Sequence, residues 1–226
     1  MSNTSWMKSK MIKGNKKFTV VVYSVFFALG LFSLSGCSTT AHQVSDGVTD
    51  KGGQNKSWKA RQGKLSKLSA WQLKGRASVA YNNDNWPFGL EWKQLSVSHY
   101  NMLIKHPLTR NTLAEIVKSG NIVTLNSNGR VYRDSSAERL IEKNLRVKLP
   151  VKGMSHWVRG IASPHYPLTA VKLDSKGRPA LLQQAGWNIH YLSYQNNQFD
   201  ALPTLIKVVR TSPQPVQIKM RIQHWN

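Results

Sequence analysis

The stretch Leu73-Lys-Gly-Arg-Ala-Ser-Val-Ala-Tyr81, Asn82-Asn-Asp-Asn85, Trp86-Pro-Phe-Gly-Leu-Glu-Trp92 sets the architecture. Residues 73, 75, 77, 79 and 81 are apolar or small and alternate with mostly polar neighbours. That period of two puts one face of a strand on a core. The Asn/Asp run supplies a turn, because these side chains tolerate left-handed backbone and bond their own main chain. Trp86, Phe88, Leu90 and Trp92 then resume the alternation. The two segments therefore read as adjacent strands with an aromatic inner face.

Working outward, Tyr100, Met102 and Ile104 alternate in a third strand that stops at His106-Pro107. Strands follow at 112–118, 121–126 and 130–133, with Ser119-Gly-Asn and Asn128-Gly129 as hairpin turns. Ser135 or Ser136 caps a helix over 137–145 with Glu138 in its first turn. Residues 154–158 form a second short helix, ended by Gly160 and the Pro164/Pro167 pair. Strand patterning returns at 170–173, 179–184, 187–194, 204–209 and 216–224. Upstream, 58–71 reads as an amphipathic helix, with Trp58, Leu65, Leu68 and Trp71 on one face and basic residues on the other. The result is an α+β fold of about eleven strands, a strongly curved antiparallel sheet or barrel with helices covering one side.

The N-terminus carries five lysines and no acid over 1–17, then an apolar run from Phe18 to Phe32, then Leu34-Ser-Gly-Cys37. A basic region, an apolar region and small residues before a cut site make a secretory signal. The apolar run approaches the length of a membrane span, but Leu-Ser-Gly-Cys resembles the lipobox of bacterial lipoproteins. That resemblance implies diacylglycerol on the Cys37 thiol and cleavage before it. Ser38 is not the aspartate that holds enteric lipoproteins at the inner membrane, which implies an outer-membrane anchor facing the periplasm. Segment 1–36 is then the signal peptide, and 37–57 the lipidated cysteine and a tether rich in Ser, Thr, Gly, Asp, Asn and Gln. One domain is expected over 58–226.

Cys37 is the only cysteine, so internal disulfides and multi-cysteine metal sites are excluded. Of the 32 Lys and Arg, five leave with the signal and none of the ten acids does, so the mature chain carries +17. Such a surplus points to nucleic acid or an anionic membrane. Export sets nucleic acid aside and leaves lipid surfaces, or merely a solvated basic exterior. Gly-x-Ser-x-Gly, His-Glu-x-x-His, Gly-x-Gly-x-x-Gly and the Walker lysine loop are absent. The histidines at 99, 106, 156, 165, 190 and 224 lack metal-ligand spacing. No catalytic residue, metal or cofactor is expected.

The aromatics offer more. Trp86, Trp92, Trp157, Trp187 and Trp225 fall mostly on apolar phases of strands or on the covering helix. They fill a core or line a half-open barrel that holds an apolar ligand. Leu90-Glu-Trp-Lys-Gln94, Met102-Leu-Ile-Lys-His-Pro-Leu108, Leu149-Pro-Val-Lys-Gly-Met-Ser-His-Trp-Val-Arg-Gly160, Gly186-Trp-Asn-Ile-His-Tyr191 and Ile218-Lys-Met-Arg-Ile-Gln-His-Trp225 together resemble the LolB family, outer-membrane receptors of lipoprotein sorting. The resemblance implies an unclosed antiparallel barrel with a helical lid over a hydrophobic cavity. It implies a monomeric, non-enzymatic receptor that takes acylated lipoproteins from the soluble periplasmic carrier LolA and releases them into the outer membrane. Trp86, Trp92, Met102, Ile104, Trp157, Trp187 and Trp225 are the candidates to line the acyl-chain cavity. Leu108 follows a proline at a strand end and, by the resemblance, protrudes to serve membrane insertion. Pattern alone favours the opposite, a leucine folded back on the core. Two other readings are a lipid-sensing envelope-stress regulator built on a similar barrel, and a structural lipoprotein that only packs its own core.

Overall fold

The computed structural model describes residues 51–145 and 147–226. The signal segment, Cys37 and tether residues up to 50 lie outside the described residues. In chain order the elements are α1 (Lys51–Ser66), β1 (Trp71–Tyr81), β2 (Asp84–Ser96), β3 (His99–Lys105), β4 (Thr112–Ser119), β5 (Ile122–Ser127) and β6 (Arg130–Asp134). Then come α2 (Ala137–Leu145), α3 (Val151–Trp157), β7 (Leu168–Leu173), β8 (Pro179–Gln184), β9 (Trp187–Tyr194), β10 (Pro203–Arg210) and β11 (Val216–Trp225).

All eleven strands form one antiparallel sheet in the order β6-β5-β4-β3-β2-β1-β11-β10-β9-β8-β7. β1 and β11 join its two halves at the centre, where Gln72 and Asn226 exchange both backbone bonds at 2.7 and 2.9 Å. β6 and β7 are the free edges, so the barrel is unclosed. A single apolar cluster nevertheless includes Val123 and Leu125 near one edge and Leu182 near the other. Side chains that far apart in the sheet share a core only if the sheet curves around it. Leu140, Ile141, Met154 and Trp157 of α2 and α3 belong to the same cluster and cover the concave side.

The founding hairpin forms with a two-residue turn. Asn82 and Asn83 both take positive φ (50° and 65°), which lets Asp84 pair directly with Tyr81. Left-handed backbone at both central positions matches the twist of the flanking strands, and β2 therefore begins at Asp84, before Trp86.

Two helices differ from expectation. α1 starts at Lys51, so the last residues of the expected tether are helical, and it ends at Ser66. Trp71 is the first residue of β1, opposite Gln94. The spacing Leu68–Trp71 suits a helix and Trp71–Leu73 suits a strand, and the β2 ladder decides between them. Arg61 lies on the buried side of α1 with no exposure, not among the solvated basic residues. α3 begins at Val151, a turn before Met154, because Glu138 of α2 accepts the Lys152 amide (2.8 Å) and ties the two helices together. Ser136 is the cap of α2, its hydroxyl accepting from the Arg139 amide at 3.3 Å.

Gly153 sets how α3 packs. The fully buried Trp157 ring folds back along its own helix, and a Cβ on Gly153 would stand 2.7 Å from it. Alanine ordinarily favours a helix over glycine by about 1 kcal/mol. Overpacking a rigid indole costs about 1–3 kcal/mol. Gly153→Ala is therefore expected to lower stability despite its better propensity, by up to about 2 kcal/mol in urea unfolding. An increase in stability would show that the ring does not lie over the glycine.

Candidate functional site

The strand topology sorts the inner-face side chains by end. The turns after β1, β3, β5, β8 and β10 all lie at one end of the sheet, those after β2, β4, β7 and β9 at the other. The second end is sealed by aromatics. Trp71 packs on Trp92 (centroids 5.1 Å) and on Trp225 (5.8 Å), and Trp92 meets Tyr100 edge-on at 6.1 Å. The Trp225 indole also donates to Pro203 O at 2.9 Å. Geometry of this kind adds about 0.5–1.5 kcal/mol per pair beyond area burial.

The seven candidate lining residues do not behave alike. Trp92, Met102, Trp157 and Trp187 are buried, while Trp86, Ile104 and Trp225 are half-buried against the same cluster. Trp92 and Trp225 belong to the sealed end, where they meet through Trp71. Trp86 and Ile104 lie near the first end, that of the β1–β2 and β3–β4 turns and hereafter the turn end, opposite Val79 and Leu90, and Phe88 beside them is also half-buried. Trp187 starts β9 at the same end and faces Trp157 at 6.5 Å. Incompletely covered apolar surface on the inner face thus includes Trp86, Phe88 and Ile104 at the turn end.

Leu108 is at that end too. It sits in the turn between β3 and β4 and is 84% exposed, so it does not fold back on the core. The His106 imidazole organises the loop, its Nδ1 accepting from the amides of Leu108 (3.3 Å) and Thr109 (3.2 Å). His106 and Asn111 close the hairpin at 2.8 Å, and Arg110 absorbs the left-handed turn with φ 65°. A leucine held out on a braced loop costs exposed apolar surface that packing would ordinarily remove.

The lid is fixed by polar clamps that composition did not reveal. Arg61 donates to Gly160 O (2.9 Å), Arg159 O (2.9 Å) and Phe199 O (2.6 Å). Arg159 donates to Leu65 O (2.8 Å), Leu68 O (2.9 Å) and Ser155 O (3.0 Å). Gly160 has φ 71°, and a side chain there would meet the Arg61 guanidinium at 2.5 Å. Burial holds the Arg61 guanidinium below its ordinary value and brings Arg159 down to about 10. Gln184 of β8 uses its whole amide: Oε1 accepts from Trp157 Nε1 and Ser163 N, and Nε2 donates to Ser163 O and Tyr166 O, all at 2.8 Å. A buried amide with every donor and acceptor used rigidifies what it joins. Parity in β8 with Leu182 was the available signal for its inward position.

His156, on the outer side of α3, is neutral near pH 7. Burial, helped by Arg159 and the His165 ring 5.8 Å away and opposed by the Lys152 carbonyl, brings its pKa down to about 4. An unfolded histidine takes its proton near pH 6.5. The folded state therefore loses stability as pH falls from about 6.5 towards 4. The urea midpoint is expected to drop between pH 7 and 5, above the carboxylate range, and His156→Gln to flatten that slope; an equal slope in the variant would contradict the assignment.

Two grooves border the half-barrel. One of 510 Å³ lies around Lys74, Glu91, Lys105, Arg110 and His224. Glu91 is paired with Lys105 at 2.6 Å, and that hydrogen bond holds its carboxyl below the usual range. The other, of 550 Å³, separates α2 (Arg139, Glu142, Lys143) from Pro213 and Gln214 in the turn after β10. Among the described residues no group of His, Cys, Asp and Glu could hold a metal ion.

The family model described as "Outer membrane lipoprotein LolB" matches residues 69–225, from just before β1 to the end of β11. The chain belongs to the LolB family. It is 31% identical over 200 residues, 88% of this chain and 93% of the relative, to the outer-membrane lipoprotein LolB of Pseudomonas paraeruginosa. It is 32% identical over 137 residues to that of Cellvibrio japonicus, covering 61% of this chain and 67% of the relative. Among solved structures, a LolA superfamily protein from Nitrosomonas europaea superposes with a TM-score of 0.46 at 9% identity, over 74% of this chain and 92% of that one. Family membership makes the chain a lipid-anchored outer-membrane lipoprotein facing the periplasm.

Proposed function

We propose that this protein is a monomeric, non-enzymatic receptor that accepts acylated lipoproteins from a LolA-like soluble periplasmic carrier and inserts them into the outer membrane, with Cys37 as its own lipid anchor. The observation that carries the reading is the shared location of exposed Leu108 and the half-buried inner face of Trp86, Phe88 and Ile104. Acyl chains enter at that end, displacing lid side chains from the inner face, while Trp92 and Trp225 remain packed at the sealed end. Each buried methylene is worth about 0.8 kcal/mol, so several acyl chains cross water only inside a protein. The periplasm supplies no ATP, and transfer runs towards the receptor with the higher affinity. The test is a carrier preloaded with an acylated lipoprotein and mixed with this protein. Cargo should move to it; cargo remaining on an active carrier, with this protein folded, would sink the receptor reading.

A further inference from the structure

Arg210 ends β10 on its inner face, in alternation with Ile206 and Val208, which are fully buried. Its guanidinium lies over the Trp187 ring, 4.6 Å from the centroid. Nε and Nη2 are buried and have no hydrogen-bond partner among the described residues. Nearly all buried polar groups in folded proteins are paired, and an unpaired buried cation is costly. Arg61 and Arg159 obey that rule, each with three carbonyl partners. Arg210 departs from it, at the same end of the sheet as the half-buried Trp86, Phe88 and Ile104.

We propose that Arg210 is the recognition site for the polar end of acylated cargo, donating to the ester and amide carbonyl oxygens where acyl chains join the glyceryl cysteine. This rests on the receptor reading above. A guanidinium only donates, and its N–H groups lie in one plane. The cation is held over the Trp187 ring, and neither Nε nor Nη2 has an acceptor there, so two donors remain to be satisfied. Carbonyl oxygens suit them: the cargo's acyl chains lie along the apolar inner face, and their ester ends stop where the apolar lining gives way to a cation. Beyond Arg210 the strand turns into Pro213 and Gln214, which face the charged Arg139, Glu142 and Lys143 of α2 across a groove and give the cargo's polypeptide an exit. The site selects for acyl chains carried on ester and amide linkages over plain alkyl chains.

The experiment uses the mature chain in nanodiscs and two dansyl-labelled peptides. One bears S-dipalmitoylglyceryl cysteine; the other bears its dihexadecyl ether analogue, which keeps the chains and lacks the ester carbonyls. Binding is read by energy transfer from tryptophan, with empty nanodiscs subtracted. The wild type should bind the ester about tenfold more tightly than the ether, the size of a hydrogen bond to a charged group. Arg210→Met should bring that ratio to near one, and Arg210→Lys should keep part of it. The ratio is taken within each protein, so a general loss of stability cancels. Equal ratios in the wild type and Arg210→Met, with both probes bound, would overturn the Arg210 assignment alone. Failure of both probes to bind above empty discs would overturn the receptor reading with it.

Discussion

Leu108→Glu leaves the protein folded and able to take cargo from the carrier, and slows delivery into liposomes at least tenfold. Leu108 is 84% exposed and no core depends on it, so the fold should change by less than about 0.5 kcal/mol. In a bilayer the same position counts for much more. Burying a leucine side chain is worth about 1.5–3 kcal/mol, and placing a carboxylate near the acyl region costs further. Because His106 braces the loop through Leu108 and Thr109, glutamate cannot easily withdraw. Leu108→Ile, which keeps the apolar volume, should deliver normally. Liposome flotation with labelled cargo separates acceptance from delivery. A variant that accepted and delivered at wild-type rate would remove Leu108 from the mechanism.

Arg61→Ala is expected to be the most damaging single change to the fold, lowering stability by about 3–5 kcal/mol. The guanidinium is fully buried and satisfies three carbonyls contributed by the lid exit and by the loop before β10. Truncation leaves those oxygens without a donor, at about 1–3 kcal/mol each before relaxation, and opens a cavity against Tyr194, over which Arg61 lies at 5.3 Å. Against a typical total of about 5–15 kcal/mol the loss is severe. Arg61→Lys cannot serve three diverging acceptors and should recover only part. A loss within 1 kcal/mol for Arg61→Ala, by thermal or urea unfolding, would mean that α1 is not held to the lid through this residue.

Most of the sheet was legible because each strand carries its own period of two and each hairpin its own turn residues. β8 and β9 coincide with the sequence expectation, and Asn82-Asn83 and Asn128-Gly129 turn where their backbone freedom predicts. What local pattern could not convey was competition between periods, as at Trp71, where a partner strand decides between two acceptable spacings. Polar residues facing inward were the other blind spot. Arg61 continues the stripe of Trp58 and Leu65, Gln184 follows Leu182, and Arg210 follows Val208, so their direction was readable from position. Their partners were not, because Arg61 reaches carbonyls about a hundred residues away, a proximity that only the folded chain creates. The candidate site divides along the same line. Periodicity places Trp92 on the inner face with Leu90 but does not assign it to the sealed end, and Trp225, out of phase with Ile218, Met220 and Ile222, comes opposite Leu73 only through the bulge between Lys74 and Gly75.

The most direct test of the account is to present the carrier loaded with a lipoprotein whose acyl chains end in a photoreactive diazirine, illuminate after transfer, and map the cross-links. Labels on Trp86, Phe88, Ile104 and Trp187 are predicted, with Trp225 spared. Labels concentrated on Trp225, or on the outer groove at Lys74 and His224, would contradict entry of acyl chains at the Leu108 end.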